Sequence, residues 1–312
     1  MDAYCPYDVT PLLAQVAGTE QSVSTAFGRL RCLTKWSGRI ERWRRGTVFV
    51  HGVHDDMNSW GPLVREAARR AVDLGPTLFV DLPGFGRSQN RRSRLDLIEV
   101  GDMLMRVATK EMGFESVRLV GHSMGTLVVA DMAVRHAARV ESLHLAAGPY
   151  YSVVDTMNGH PSGGYAGGLA TAAFGSQYLL ALTAGLGVAT VRMASRRQVL
   201  RPLLAPYAAH PNDLRQSVVD HLVSGMRPRS FRAAARNGFD YRDRHVLVQG
   251  AVPGLGGLRR GRPAGTRGRR PAVAGRHPCR ANHPRARRVA PRPSGAAGRH
   301  ALGARSDLTQ PG

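Results

Sequence analysis

Ser123 stands alone between two glycines in the run Val117 to Gly125, VRLVGHSMG. A serine hydroxyl attacks a carbonyl only when it is exposed at a sharp turn and a base can take its proton. The spacing Gly121-x-Ser123-x-Gly125 suits that turn, because bulky side chains two residues either side would collide as the backbone doubles back. A helix starting at Ser123 would aim its N-terminal N–H groups and positive dipole end at the reacting centre, where an oxyanion develops. The competing reading is a structural serine that caps the helix. A second piece is His51-Gly52-Val53, directly after the apolar run TVFV. Ligands collect at the carboxyl ends of parallel strands, so the backbone amides of Val53 and Met124 are expected to converge on one oxygen. Otherwise His51-Gly52 merely shapes a tight turn.

These residues need a frame, and the sequence from Thr47 to Ala147 supplies one. TVFV (47–50), TLFV (77–80), VRLV (117–120) and VESLHLAA (140–147) read as strands. Between them lie helical periods: Trp60 to Ala71, with Asn58 or Ser59 as N-cap; Leu95 to Met112, stopped by Gly113; and Ser123 to Ala138. Such alternation specifies an α/β fold, a mostly parallel, doubly wound sheet with helices on both faces. Residues 22–36 read as a leading antiparallel hairpin about Gly28.

The order VFVHG, DLPGFGRS, VRLVGHSMG resembles the α/β-hydrolase fold superfamily over residues 26–147, with HVLVQG (245–250) as a later strand. The resemblance implies a serine nucleophile at Ser123, an oxyanion hole from Val53 and Met124, and a helical cap between two late strands. The expected domains are a core at 1–149, a cap at 150–243, a return strand at 244–250 and a tail at 251–312. The family's turn falls on Asp81, Pro83, Gly84 and Gly86 and is structural. Asp55 and Asp56 are read as loop or capping residues, and His122 as a wall residue too close along the chain to serve Ser123 as base. Relatives with an aspartate nucleophile, such as epoxide hydrolases, are disfavoured by the serine at 123. No cofactor and no metal is expected. Cys5, Cys32 and Cys279 are too scattered for a zinc site or disulfide framework and read as free thiols in the cytoplasm. The opening MDAYCPYDVT lacks the pattern of a signal peptide.

Residues 163–191 carry no charge, which raises the question of a membrane span. Their glycines and polar residues favour a helical insertion over an apolar pocket, so no stable membrane span is expected. Further helices are expected at Arg196–Ala209, Asp213–Met226 and Arg229–Asn237.

Beyond Gly250 the composition changes. Of the 62 residues 251–312, 44 are Arg, Pro, Gly or Ala, too few apolar residues for a strand or an amphipathic helix. This segment holds 14 Arg and a single acid, Asp307, or +13 of the net +22. The charge is therefore terminal rather than a patterned face, and no specific nucleic-acid binding is expected. An acid and a histidine should complete the triad after HVLVQG, as the resemblance implies, yet 251–306 contains no Asp or Glu. His277, His283 and His300 have no strand before them, and Asp240 and Asp243 precede the strand at its wrong end. The acid and base are therefore unassigned. With 42 Arg against 2 Lys in the chain, the tail reads as GC-rich DNA translated out of frame near Gly250; a genuine basic tail is the alternative. The expected function is a serine hydrolase for an ester or related acyl bond of a hydrophobic small molecule. The alternative is a catalytically inactive member of the same fold or a gene remnant.

Overall fold

Strand β3 (Arg45–Val50) lies at the centre of the sheet, and its residues alternate between two apolar layers. Val48 and Val50 face one layer with Leu78, Val80, Leu119, Leu104 and Val128; Phe49 faces the other with Phe79, Leu33 and Trp60. Burial on both faces is what a central parallel strand requires and explains its unbroken apolar run. The Phe49 and Phe79 rings stack 4.6 Å apart, with Trp60 edge-on to Phe49 at 5.1 Å.

In this computed structural model the described residues are 7–35, 45–148, 165–196, 199–204, 208 and 210–238. Their sheet has six strands: β1 (Gly18–Thr25), β2 (Gly28–Lys35), β3, β4 (Thr77–Val80), β5 (Ser116–His122) and β6 (Val140–Ala146). The spatial order is β1-β2-β4-β3-β5-β6. The first two pairings, β1 with β2 and β2 with β4, are antiparallel, and the rest are parallel. The hairpin turns at Ala26-Phe27, and Gly28 opens its second strand at φ 108°. Helices α1 (Gly61–Arg69), α2 (Leu97–Arg106) and α3 (Met124–Arg135) connect the parallel strands. The helical period expected to reach Met112 changes at Val107 into a π turn, Val107–Glu111, and Gly113 follows at φ 71°. Cys32 lies in the core, where burial pushes its thiol up to about 12. Such a thiol is inert at neutral pH.

One expected cap is replaced. Neither Asn58 nor Ser59 caps the first helix; Asp56 accepts the Asn58 amide at 2.8 Å and caps a 3-10 turn, Met57–Trp60, that leads into α1.

The uncharged stretch 163–191 is divided at Thr183 into α4 (Tyr165–Leu182) and α5 (Ala184–Arg196). Among the described residues no single helix is long and apolar enough to cross a membrane, and the two halves bend by 120°. Within the helix expected at Arg196–Ala209, the described residues include a short 3-10 turn, Arg201–Leu204. Pro202 and Pro206 fall inside the expected helix, and each removes a helical donor. Then come α6 (Gln216–Ser224) and α7 (Pro228–Gly238). Ala233 and Ala234 of α7 join the core layer that holds Val50. The strand expected at 245–250, the tail from 251, and Asp240 and Asp243 lie outside the described residues.

Candidate active site

The register of the sheet aligns two strand ends: Val50 of β3 pairs with Gly121 of β5. Both chains then leave the sheet on the same edge. Ser123 follows β5 with φ 51° and ψ −125°, a conformation L-residues rarely adopt. A backbone held there costs about 1–3 kcal/mol and must be enforced by its surroundings. The two glycines enforce it. A side chain at Gly121 would place Cβ 2.7 Å from the Gly125 carbonyl oxygen and 2.8 Å from Thr126 Cα. One at Gly125 would sit 2.3 Å from the Val50 carbonyl oxygen. The turn closes only with small residues at both places.

Ser123 makes no side-chain capping bond to α3. Its hydroxyl is turned instead toward the loop after β3. A Cβ added to Gly52 would lie 2.8 Å from Ser123 Cβ and 3.2 Å from its Oγ. The structure therefore brings Ser123, Met124 and the His51-Gly52-Val53 loop together. Among the described residues no hydrogen bond occupies the backbone N–H of Val53 or Met124.

His51 holds that loop in place. Its Nε2 accepts the Leu82 amide at 2.9 Å, which puts the proton on Nδ1, 2.7 Å from the Gly52 carbonyl oxygen. Fully buried, it ties the loops after β3 and β4 together. Asp81, also fully buried, braces the same edge. It accepts the Met57 and Arg87 amides, each at 2.9 Å, and an Arg31 guanidinium at 3.3 Å. Any side chain at Gly86, which has φ 52°, would run into this carboxylate.

The residues that the spacing did not single out are His54 and His221. His54 has φ 57° and stacks on Phe231 of α7 at 5.0 Å. Burial and the charge of Arg227 push its pKa down to about 4. Asp55 reaches into the helical segment: its Oδ1 is 2.7 Å from His221 Nε2 on α6, and its Oδ2 is 3.9 Å from His122 Nδ1. Burial works to raise the Asp55 pKa, but the His221 hydrogen bond and the nearby imidazoles hold it below its ordinary value. Burial likewise opposes protonation of His221, and Asp55 overcomes it and raises the pKa. For His122 burial wins over Asp55, and the pKa falls. Only a three-dimensional contact could reveal such a pair, because Asp55 and His221 are far apart in sequence.

Asp55, Asp56 and His221 bring their oxygen and nitrogen atoms within 4.8 Å of one another, a spacing open to a cation. The same atoms are satisfied internally, by the Asp55–His221 bond and by the Asn58 amide on Asp56. None of the hydrogen bonds made by the described histidines goes to the Ser123 hydroxyl. His277, His283 and His300 are outside the described residues.

Residues 48–245 match the model of the alpha/beta hydrolase fold family. The chain belongs to that family. "Probable lysophospholipase BODYGUARD 1" of Arabidopsis thaliana is 31% identical over 121 residues, 37% of this chain and 25% of that protein. "Probable lysophospholipase BODYGUARD 4" of the same plant is 33% identical over 36% of this chain and 27% of its own length. The chain thus spans about a quarter of these curated relatives. Among solved structures, a mutant of a "putative epoxide hydrolase" from Pseudomonas aeruginosa superimposes with a TM-score of 0.52 at 18% identity, over 74% of this chain and 75% of that one. At that identity the likeness is one of fold.

Proposed function

We propose that this hydrolase-family chain uses Ser123 as nucleophile to cleave an ester or related acyl bond of a hydrophobic small molecule. The observation that carries the reading is the Ser123 backbone at φ 51° with its hydroxyl beside Gly52 and free of helix capping. Ser123 Oγ bonds to the acyl carbon, its proton passing to a base, and the carbonyl oxygen takes the negative charge. The Val53 and Met124 amides donate to that oxygen. Collapse expels the alcohol with a proton, and water releases the acid and restores Ser123. Removing one oxyanion donor typically lowers the rate about 100- to 1,000-fold. α4 to α7 form the cap, and the lysophospholipase names of the plant relatives agree with an acyl ester as substrate. The setting is cytoplasmic.

Labelling with a fluorophosphonate tests the reading. The folded chain should react at Ser123, and Ser123→Ala should not. A folded, unlabelled wild type would overturn it.

The second reading is an inactive member of the family. It draws on the family match ending at residue 245, shortly before the change of composition at Gly250. It also draws on β6, the outer strand among the described residues, whose Leu143 and Leu145 are only partly buried. Both features fit a reading frame lost near Gly250. Translating the other two frames of that DNA should restore an acid, an apolar strand and a histidine; their absence from both frames would remove the frameshift.

A further inference from the structure

The bend between α4 and α5 exposes apolar side chains on both of its arms. Leu179 and Leu182, one helical turn apart on α4, are 66% and 53% exposed; Leu186 and Met193, two turns apart on α5, are 82% and 52% exposed. Single exposed leucines are ordinary, but four such side chains on the two arms of one bend are apolar surface that water opposes. Its own stretch of chain carries charge of one sign, and Asp220 of α6 meets α5 only at the far end from the bend, accepting the Ser195 hydroxyl. From 156 to 212 the sequence contains no Asp or Glu, while Arg192, Arg196, Arg197 and Arg201 follow the bend.

A crevice of about 520 Å³ opens between α5 and the start of α7. Val188, Met226 and Pro228 make it apolar, and Arg192, Arg227 and Arg229 bring three guanidinium groups to it. Arg227 is occupied, since its Nη1 donates to the Ser224 carbonyl at 2.7 Å. Arg192 and Arg229 are both exposed. Apolar lining with cations at the mouth suits an amphiphile with an anionic head.

We propose that the α4–α5 bend is a peripheral docking surface for an anionic phospholipid bilayer. The leucines enter the acyl boundary, and Arg192 and Arg229 meet the phosphates. An uncharged apolar tip with arginines behind it is the chemistry of an interfacial anchor, and each arginine near an anionic surface adds to the attraction. A bend of 120° presents the tip without spanning the bilayer. The proposal does not depend on Ser123 being reactive, so its test reads binding alone.

The test is flotation of the full-length chain with phosphatidylcholine vesicles, with and without one-third phosphatidylglycerol. The arginines of 251–312 would also bind such vesicles, so the decisive readouts lie in the bend. Leu179→Ser with Leu186→Ser should weaken partitioning into anionic vesicles about tenfold, with an unchanged thermal melt. Arg192→Gln with Arg229→Gln should do the same. Leu186→Trp should gain fluorescence that brominated acyl chains quench. The proposal fails if the wild type does not float with anionic vesicles. It fails equally if both double variants bind like wild type and Trp fluorescence is unquenched, which would assign binding to the tail. It also fails if the wild type self-associates without lipid and the leucine variant does not, which would make the patch a contact between copies.

Discussion

The sheet edge around Ser123 and the α4–α7 helices are built on different principles. At the edge the backbone passes too close to its neighbours for any side chain: Gly121, Gly125 and Gly52 each exclude even a methyl group. Position there is set by close approach and by buried polar groups with filled valences, above all His51 and Asp81. In the helical segment, attachment to the core combines the packing of Ala233 and Ala234 with side-chain contacts such as His221 with Asp55 and Ser230 with the Gly84 carbonyl. Reaction geometry needs the first kind of construction, because a displaced donor loses its alignment with the developing charge. A surface that covers or binds needs only the second.

That contrast orders the effects of mutation. The largest belongs to Asp81→Ala, which leaves the Met57 and Arg87 amides at the edge without their acceptor, while Arg31 keeps its pair with Glu20. A buried amide left without an acceptor costs about 1–3 kcal/mol, and two are left here, so denaturant unfolding should show a loss of at least about 2 kcal/mol. A loss below about 1 kcal/mol would mean the edge is not braced as described.

His54 bridges the two regions, and its effect depends on pH. Its folded pKa, about 4, lies below the unfolded 6.5. The unfolded chain therefore takes up the proton first, and stability is lost as pH falls from 6.5 toward 4. A gap of that size corresponds to about 3 kcal/mol. His54→Phe keeps the stack on Phe231 and should abolish this acid sensitivity, as thermal melts across the window would show.

His221→Gln should cost about 2 kcal/mol, the worth of a hydrogen bond to a charged group. The His221 pKa is raised on folding, so its contribution is complete below about 6.5 and declines as pH rises through the folded value. The difference between wild type and variant should therefore shrink from pH 6 to pH 9. The smallest effect is that of Leu186→Ser on the exposed bend, within about 0.5 kcal/mol. A larger loss would show that α5 is held more firmly than its exposure indicates.

The same contrast explains what the sequence disclosed. TLFV at 77–80 coincides with β4, and the paired glycines about Ser123 locate the turn, because local sterics and a two-residue period decide both. The nearness of the loop after β3 to Ser123 followed from strand order, and the proposal of Val53 and Met124 as donors rests on it. The break at Thr183 was not legible, since an uncharged run of small and apolar residues fits one helix or two. Nor was the Asp55–His221 pair, which depends on where a distant helix docks. Asn58 and Ser59 had the chemistry of N-caps, but Asp56 took the role because the chain enters α1 through a 3-10 turn.

The central claim concerns one oxygen atom. A crystal structure of the chain after fluorophosphonate treatment should show phosphorus bonded to Ser123 Oγ, with one phosphonyl oxygen about 3 Å from the backbone nitrogens of both Val53 and Met124. An adduct whose oxygens point away from both amides, or phosphorus on a different residue, would contradict it.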